Sequence, residues 1–291
     1  MIKVKILIPI YNDWQSVLKL IENINFVVST LDAEFSVIIF NDTSTEIRPE
    51  FSIDLYGLKS VQIINMKENR GHARCNATGL KYIGEKEDFD YVIPMDGDGE
   101  DRPEELSLLI EKIKEYPNTV ITADRVKRSE GFIFKFCYLV HKYLTLIFTG
   151  QTIKFGNYTC LPKSVVGKMV NESATWSSFS GSLAKIAKDR KSIPSERGKR
   201  YFGPSKMSFI NLLKHSLSII AVFKTTLLIR SVLFLIAYSF LVIGKISVIT
   251  LIPVIGVIIM MFSVIILSKR ENLLEFNNFT LLIYSTNHLS R

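Results

Sequence analysis

The sequence predicts an α/β domain built on a mostly parallel, Rossmann-like sheet, followed by a two-helix apolar hairpin near the C-terminal end. Three observations predict it. Short β-rich runs alternate with longer helical patterns from Lys3 to about Asp124, polar and acidic residues recur just after those runs, and the longest uncharged apolar stretches come after residue 226.

Val4-Lys5-Ile6-Leu7-Ile8, Phe35 to Phe40, Val61-Gln62-Ile63-Ile64 and Tyr91-Val92-Ile93 read as strands, and Val120-Ile121-Thr122 as a fifth. Between them Ser16 to Val28 and Ala73 to Ile83 read as helices, which gives βαβ units. The helix after Asp101 is the best marked. Pro103 sits in its first turn, Glu104 and Glu105 suit the positive end of the helix dipole, and Leu106, Leu109, Ile110 and Ile113 make one apolar face. Ligands of such sheets bind at the carboxyl ends of the strands, so chemistry is expected in the residues just after each one.

Ile246 to Ser268 is uncharged and strongly apolar. At about 1.5 Å per residue it reaches roughly 34 Å, enough to cross a bilayer. The preceding run, about 226 to 244, is also apolar but contains Arg230, which must snorkel from near an end or face protein. Only Gly244-Lys245 separates the two runs. Lys214, Lys224 and Arg230 flank one side and Lys269-Arg270 the other, so the positive-inside rule puts both outer ends in the cytosol. Phe132 to Phe148, interrupted by Lys135, His141 and Lys142, reads as a helix lying at the membrane surface, with a plain core helix as the alternative. The expected organisation is a sheet domain with interfacial helices over 1–210, a juxtamembrane segment and hairpin (about 226–244 and 246–268) over 211–270, and a cytosolic tail over 271–291. The first residues are too short an apolar run for a signal peptide and stop at Pro9, so the N-terminal domain is expected to stay cytosolic.

With 47% hydrophobic and 22% charged residues in 291, disorder, collagen-like fibres and disulfide scaffolds are excluded. Cys75, Cys137 and Cys160 lie far apart with no CxxC pair, which speaks against a zinc knuckle. The four histidines show no ligand spacing and read as structural or exposed. A net charge of +8 favours an anionic partner, but no basic-aromatic module for nucleic acid is visible, so a lipid surface or a phosphorylated substrate is expected.

The chemical signal is Tyr91-Val92-Ile93-Pro94-Met95-Asp96-Gly97-Asp98-Gly99-Glu100-Asp101, where a strand ends in two carboxylates one residue apart. Hard oxygen ligands at that spacing can hold a divalent cation and leave positions for water and a pyrophosphate. The chain becomes helical too soon after Asp101 for an EF-hand. Three other strand ends are polar: Ile8-Pro9-Ile10-Tyr11-Asn12, Asn41-Asp42-Thr43-Ser44 and Glu68-Asn69-Arg70-Gly71-His72-Ala73-Arg74-Cys75-Asn76. Together these segments resemble the family 2 glycosyltransferases of the GT-A fold, which carry Pro-x-Tyr-Asn, Asp-Asp-Gly-Ser, Asn-x-Gly and Asp-x-Asp in that order. Asp98-Gly99-Glu100-Asp101-Arg102-Pro103-Glu104, Asp124-Arg125-Val126-Lys127-Arg128 and Arg200-Tyr201-Phe202-Gly203-Pro204-Ser205-Lys206 further resemble the polyprenyl-phosphate group of that family, which includes dolichyl-phosphate mannose synthase and the bacterial undecaprenyl-phosphate sugar transferases.

The resemblance implies a membrane-anchored, inverting enzyme on the cytosolic face of a bacterial inner membrane. It would move a sugar from a nucleotide diphosphate sugar to a polyprenyl phosphate with Mg²⁺ or Mn²⁺, and a homo-oligomer is compatible with it. Asp96 and Asp98 are expected at the metal, with Arg125 and Arg128 as catalytic cations. Pro9, Tyr11, Asn12, Asp42, Asn69, Gly71, Arg74 and Gly97 are expected around the donor, and Arg200, Ser205 and Lys206 at the acceptor phosphate. The rival acceptor is a sugar hydroxyl of a glycan or lipid-linked saccharide, which would need a base, with Glu100 or Asp101 the first suspects. A non-catalytic membrane adaptor is the other alternative, because Asn41 and Thr43 stand for the family's Asp and Gly, and Gly156-Asn157-Tyr158 stands where relatives often carry an acid.

Overall fold

The computed structural model describes residues 1–50, 54–127, 132–204 and 209–289. The chain divides into two compact units: Met1–Ser129, Lys154–Lys206 and Asn272–Arg291 form the first, Glu130–Ile153 and Met207–Glu271 the second. In chain order the elements are β1 (Lys3–Ile10), α1 (Trp14–Val28), β2 (Glu34–Asn41), β3 (Leu58–Met66), α2 (His72–Lys86), β4 (Tyr91–Pro94), α3 (Leu106–Glu115), β5 (Val120–Lys127), α4 (Phe132–Thr149), β6 (Phe155–Pro162), α5 (Lys163–Met169), α6 (Phe179–Ile186), β7 (Arg190–Glu196), α7 (Phe209–Ala221), α8 (Lys224–Val242), α9 (Val248–Ser268), α10 (Leu273–Asn277) and β8 (Ile283–Leu289).

In the first unit the described strands form an eight-stranded sheet in the order β7-β5-β6-β4-β1-β2-β3-β8. β1 pairs in parallel with β2 and β4, β2 with β3, and β5 with β7. Ile6, Leu7 and Ile8 are all fully buried, so β1 is covered on both faces, as a central parallel strand must be. The amphipathic faces are seated as the periodicity requires. Val17, Leu20, Ile21 and Ile24 of α1 and Leu106, Leu109, Ile110 and Ile113 of α3 share one core with β1, β2 and β5. Each such side chain contributes about 1.5–3 kcal/mol by leaving water.

Three strands are additions to the expected pattern. β6 is antiparallel to both β4 and β5. Its sequence, Phe-Gly-Asn-Tyr-Thr-Cys-Leu-Pro, has a glycine, a terminal proline and no alternation to mark it. β7 lies beyond β5, and β8 pairs antiparallel with β3. The segment expected as a tail therefore returns to the sheet. Phe276 and Phe279 are buried, Trp176 stacks on Phe276 at 5.5 Å, and the Lys81 ammonium donates to Asn277 Oδ1 at 2.7 Å. β8 is polar because it forms an edge, where the water-facing side chains carry no hydrophobic signal.

The second unit is helical. Phe148 of α4, Ile220 and Ala221 of α7, Leu227 of α8, and Val257, Met260 and Val264 of α9 form its core. α8 and α9 begin the two stretches long and apolar enough to cross a membrane, with mean hydropathies of 1.9 and 2.8. Only 11% and 17% of those windows is buried, so most of their apolar surface has no protein against it. Arg230 faces protein: its guanidinium donates to the carbonyl of Ile147 at 2.9 Å, satisfying one of the open acceptors at the end of α4. Gly150, at φ +74°, ends that helix, and a Cβ there would lie 3.0 Å from the same guanidinium. Gly244, also left-handed at φ +74°, turns the chain between α8 and α9.

Candidate active site

β1, β2, β3, β4 and β5 all point the same way, so their carboxyl ends share one edge of the sheet. β6 runs opposite and brings its amino end, with Asn157, to that edge; β7 runs parallel to β5 and delivers residues 197–203 there. Topology alone thus gathers the expected residues.

Pro9, Ile10, Tyr11, Asp42, His72 and Cys75 line a cavity of about 60 Å³. Asp42 is buried, and its two carboxylate oxygens accept the backbone N–H groups of Arg70 and Gly71, each at 2.8 Å. Burial nevertheless outweighs these bonds and pushes its carboxyl above the ordinary range. The loop after β2 is tied to the loop after β1: Asn12 Oδ1 accepts Thr45 N–H at 2.7 Å, and Ser44 Oγ accepts Asn12 N–H at 2.8 Å. The two departures from the family pattern in this loop, Asn41 and Thr43, both have a physical account. Asn41 accepts Ser44 N–H at 2.9 Å and donates through Nδ2 to Asn65 at 2.8 Å, a donation an aspartate could not make. Thr43 sits at φ +60°, a conformation natural to glycine, and donates its hydroxyl to the carbonyl of Met66 at 3.1 Å. Gly71 has φ +82° and Asn69 is exposed. Arg74 lies over the Trp176 ring at 5.6 Å, so it has a packing partner rather than a place in the cavity lining.

After β4 the chain turns through Asp96 to Asp101. Gly97 is required because a Cβ would lie 2.9 Å from Ile10, and Gly99, at φ +89°, would place one 2.4 Å from the ring of Tyr201. Asp101 is buried and fixes the turn by accepting Asp96 N–H at 2.9 Å. Burial and the Asp96 charge push its carboxyl well up. Asp96 Oδ1 receives Asn157 Nδ2 at 3.2 Å and lies 3.6 Å from His72 Nε2. Burial opposes its charge, but His72, Arg125, the Asn157 bond and Arg197 outweigh it and hold the carboxyl below the ordinary range. Asp98 accepts Glu100 N–H at 3.0 Å on one oxygen and Arg200 at 2.9 Å on the other; burial and the Asp96 charge raise its carboxyl.

A strap over residues 196–201 clasps this turn. Glu196 N–H donates to Glu105 at 2.9 Å, Gly198 N–H to the carbonyl of Glu100 at 2.8 Å, and Tyr201 N–H to the carbonyl of Asp98 at 2.9 Å. Arg197 pairs with Glu100, and Asn23 donates to the Tyr201 hydroxyl at 2.8 Å. Arg200, expected at an acceptor phosphate, spans Asp98 and Asp13. Arg128, Ser205 and Lys206 lie outside the described residues.

The donor set fits a hard divalent cation in one respect and limits it in another. Asp96 is held ionised and Asp98 already holds a positive group. Among the described residues no cluster of three His, Cys, Asp or Glu side chains stands ready for a metal, so Asp96 and Asp98 would need oxygens from a bound diphosphate to complete a shell. Sequence reasoning missed His72, Asn157 and Asp13. The position of His72 directly after Gly71 in a strand-end motif was the available signal, and Asn157 stood in the segment where relatives often carry an acid; for Asp13 there was none.

Residues 5–175 match the family described as Glycosyl transferase family 2, and the chain belongs to that family. Glucosyl-3-phosphoglycerate synthase from Mycobacterium tuberculosis, solved with Mn²⁺, UDP-glucose and phosphoglyceric acid, superposes with a TM-score of 0.55 at 12% identity, over 77% of this chain and 79% of that one. Mannosyl-3-phosphoglycerate synthase from Rubrobacter xylanophilus gives 0.54 at 13% identity, over 76% of this chain and 72% of that one. At such identities the likeness is one of fold.

Proposed function

We propose that this glycosyltransferase moves a sugar from a nucleotide diphosphate sugar to a polyprenyl phosphate, with inversion, at the cytosolic face of a bacterial inner membrane. The observation that carries this reading is the joining of a strand-end site to two largely unburied apolar helices in one chain. Pro9, Tyr11 and Asp42 suit a nucleotide base, and Asp96 with Asp98 suits the diphosphate through Mg²⁺ or Mn²⁺. The Mn²⁺ and UDP-glucose bound by the M. tuberculosis relative support that assignment of donor and cofactor. A cation held there would neutralise charge building on the departing nucleoside diphosphate.

An acceptor phosphate is already anionic near neutral pH. One of its oxygens attacks the anomeric carbon, the bond from that carbon to the diphosphate oxygen breaks, and the electron pair leaves with the diphosphate; no proton has to be removed. Arg125, close enough to lower the carboxyl of Asp96, suits the charge of the reacting phosphates. The base suspects for a hydroxyl acceptor are both engaged, Glu100 with Arg197 and Asp101 with the amide of Asp96, which favours the phosphate acceptor.

The test incubates membranes containing the protein with radiolabelled sugar nucleotides, Mn²⁺ and undecaprenyl phosphate, followed by lipid extraction. Label in the organic phase that is lost with EDTA is the expected result. Label only in free sugar or water-soluble glycan would overturn the acceptor assignment.

A further inference from the structure

Arg200 occupies an unusual place for a residue expected to hold a substrate. It bridges Asp98 and Asp13, and all three side chains are largely shielded, at 12%, 19% and 16% exposure. Its third nitrogen, Nε, donates to the carbonyl of Phe202 at 2.8 Å. The strap that carries it is pinned to the same turn by the backbone bonds of Gly198 and Tyr201. A guanidinium therefore sits on a largely shielded carboxylate, with a second carboxylate, Asp13, on the same group.

We propose that Arg200 is the internal counter-cation of Asp98 and that Asp13 is its positioning residue: Arg200 gives up Asp98 when a divalent cation is bound there and is retained by Asp13. The inference rests on the metal role given to Asp98 above. Asp98 Oδ1 is taken by the Glu100 amide and Oδ2 by Arg200, so a cation coming to Oδ2 meets the guanidinium at close range, and repulsion between the two positive charges makes their occupancy competitive. Asp13 supplies a second carboxylate on the same guanidinium, which would keep the freed N–H groups beside the turn, available to a bound phosphate. Asp13 acts through Arg200 and touches no substrate.

The experiment measures Mn²⁺ binding by the full-length protein in detergent, from the electron paramagnetic resonance signal of free Mn²⁺, with inorganic pyrophosphate standing in for the donor. Arg200→Gln should bind Mn²⁺ about tenfold more tightly than wild type, the scale of one charge-assisted hydrogen bond. Asp13→Asn should bind more weakly than wild type, because Arg200 then has only Asp98 to hold. The double variant should match Arg200→Gln, and Asp98→Asn should lose binding. Arg200→Met, likewise uncharged and of similar length, guards against a misfolded glutamine variant and should also bind more tightly. Unchanged or weaker binding in both Arg200 variants would overturn the proposal, as would an Asp13→Asn defect that persists in the Arg200→Gln background. Loss of binding only in Asp98→Asn would then leave the metal role standing. No Mn²⁺ binding by the wild type, with or without pyrophosphate, removes the metal reading and this inference together.

Discussion

Two acidic turns stand on the same sheet edge and are held in opposite ways. Asp42, after β2, gives both oxygens to backbone amides and serves as a fixed strut for the loop that opens α2. Asp96 and Asp98, after β4, are met mainly by side chains, Asn157, the nearby His72 and Arg200, with one amide, that of Glu100, on Asp98. A carboxylate satisfied by amides is committed to its geometry, because releasing them costs the fold. One satisfied by side chains can exchange partners, and exchange is what a site for a cation and a diphosphate needs.

That difference yields predictions of decreasing size. Asp98→Asn should reduce transfer by about a thousandfold while leaving the melting temperature near wild type, since removing one preorganised charge at a reacting group costs roughly that much. Lipid-extracted label and circular dichroism check the two halves. Asp42→Ala should do the reverse in part: it strands two amides and should lower stability by about 1–3 kcal/mol, read as a shift in the urea midpoint. A normal midpoint would refute the strut. Thr43→Ala should cost about 1 kcal/mol by losing the bond to Met66 while keeping the left-handed backbone, whereas Thr43→Gly should be nearly neutral because relieved strain offsets the lost bond.

The smallest effect concerns pH. Burial raises the carboxyl pKa of Asp42, so the folded chain binds more protons than the unfolded one between the ordinary value of about 3.9 and the raised folded value. Across that window the group makes stability fall as pH rises, and Asp42→Asn should remove this contribution to the slope. Urea midpoints measured at several pH values for both chains test it; parallel slopes would mean that the carboxyl is not perturbed.

Both acidic turns were legible in the sequence, but the side chains that hold the second were not. β1 to β4 announce themselves by apolar runs ending in Pro-Ile-Tyr-Asn, Asn-Asp-Thr-Ser and Asp-Gly-Asp, because local chain geometry places the residues just past a strand at its carboxyl end. The partners of Asp96 and Asp98 come from 61 and 102 residues away, on β6 and on the strap after β7, and no local pattern encodes such a meeting. β6 hid behind its glycine and proline, and β8 behind its polar edge. Arg200 was legible as a cation near the site but not as the partner of a carboxylate, since the sequence shows its charge and not which anion it reaches.

The return of the chain to β8 has a consequence of parity. Asn65 of β3 donates to the Ser285 hydroxyl at 3.0 Å, so residues on both sides of the two apolar helices belong to one folded sheet. A chain that leaves a folded body and comes back to it can pass through an intervening bilayer only an even number of times. Were these helices to meet a bilayer, α8 and α9 would cross it as a pair or not at all. A reporter placed in the Gly244-Lys245 turn should then lie on the opposite side from the sheet, and one after Arg270 on the same side; finding the two reporters on one side would mean that the pair rests on the membrane without crossing it.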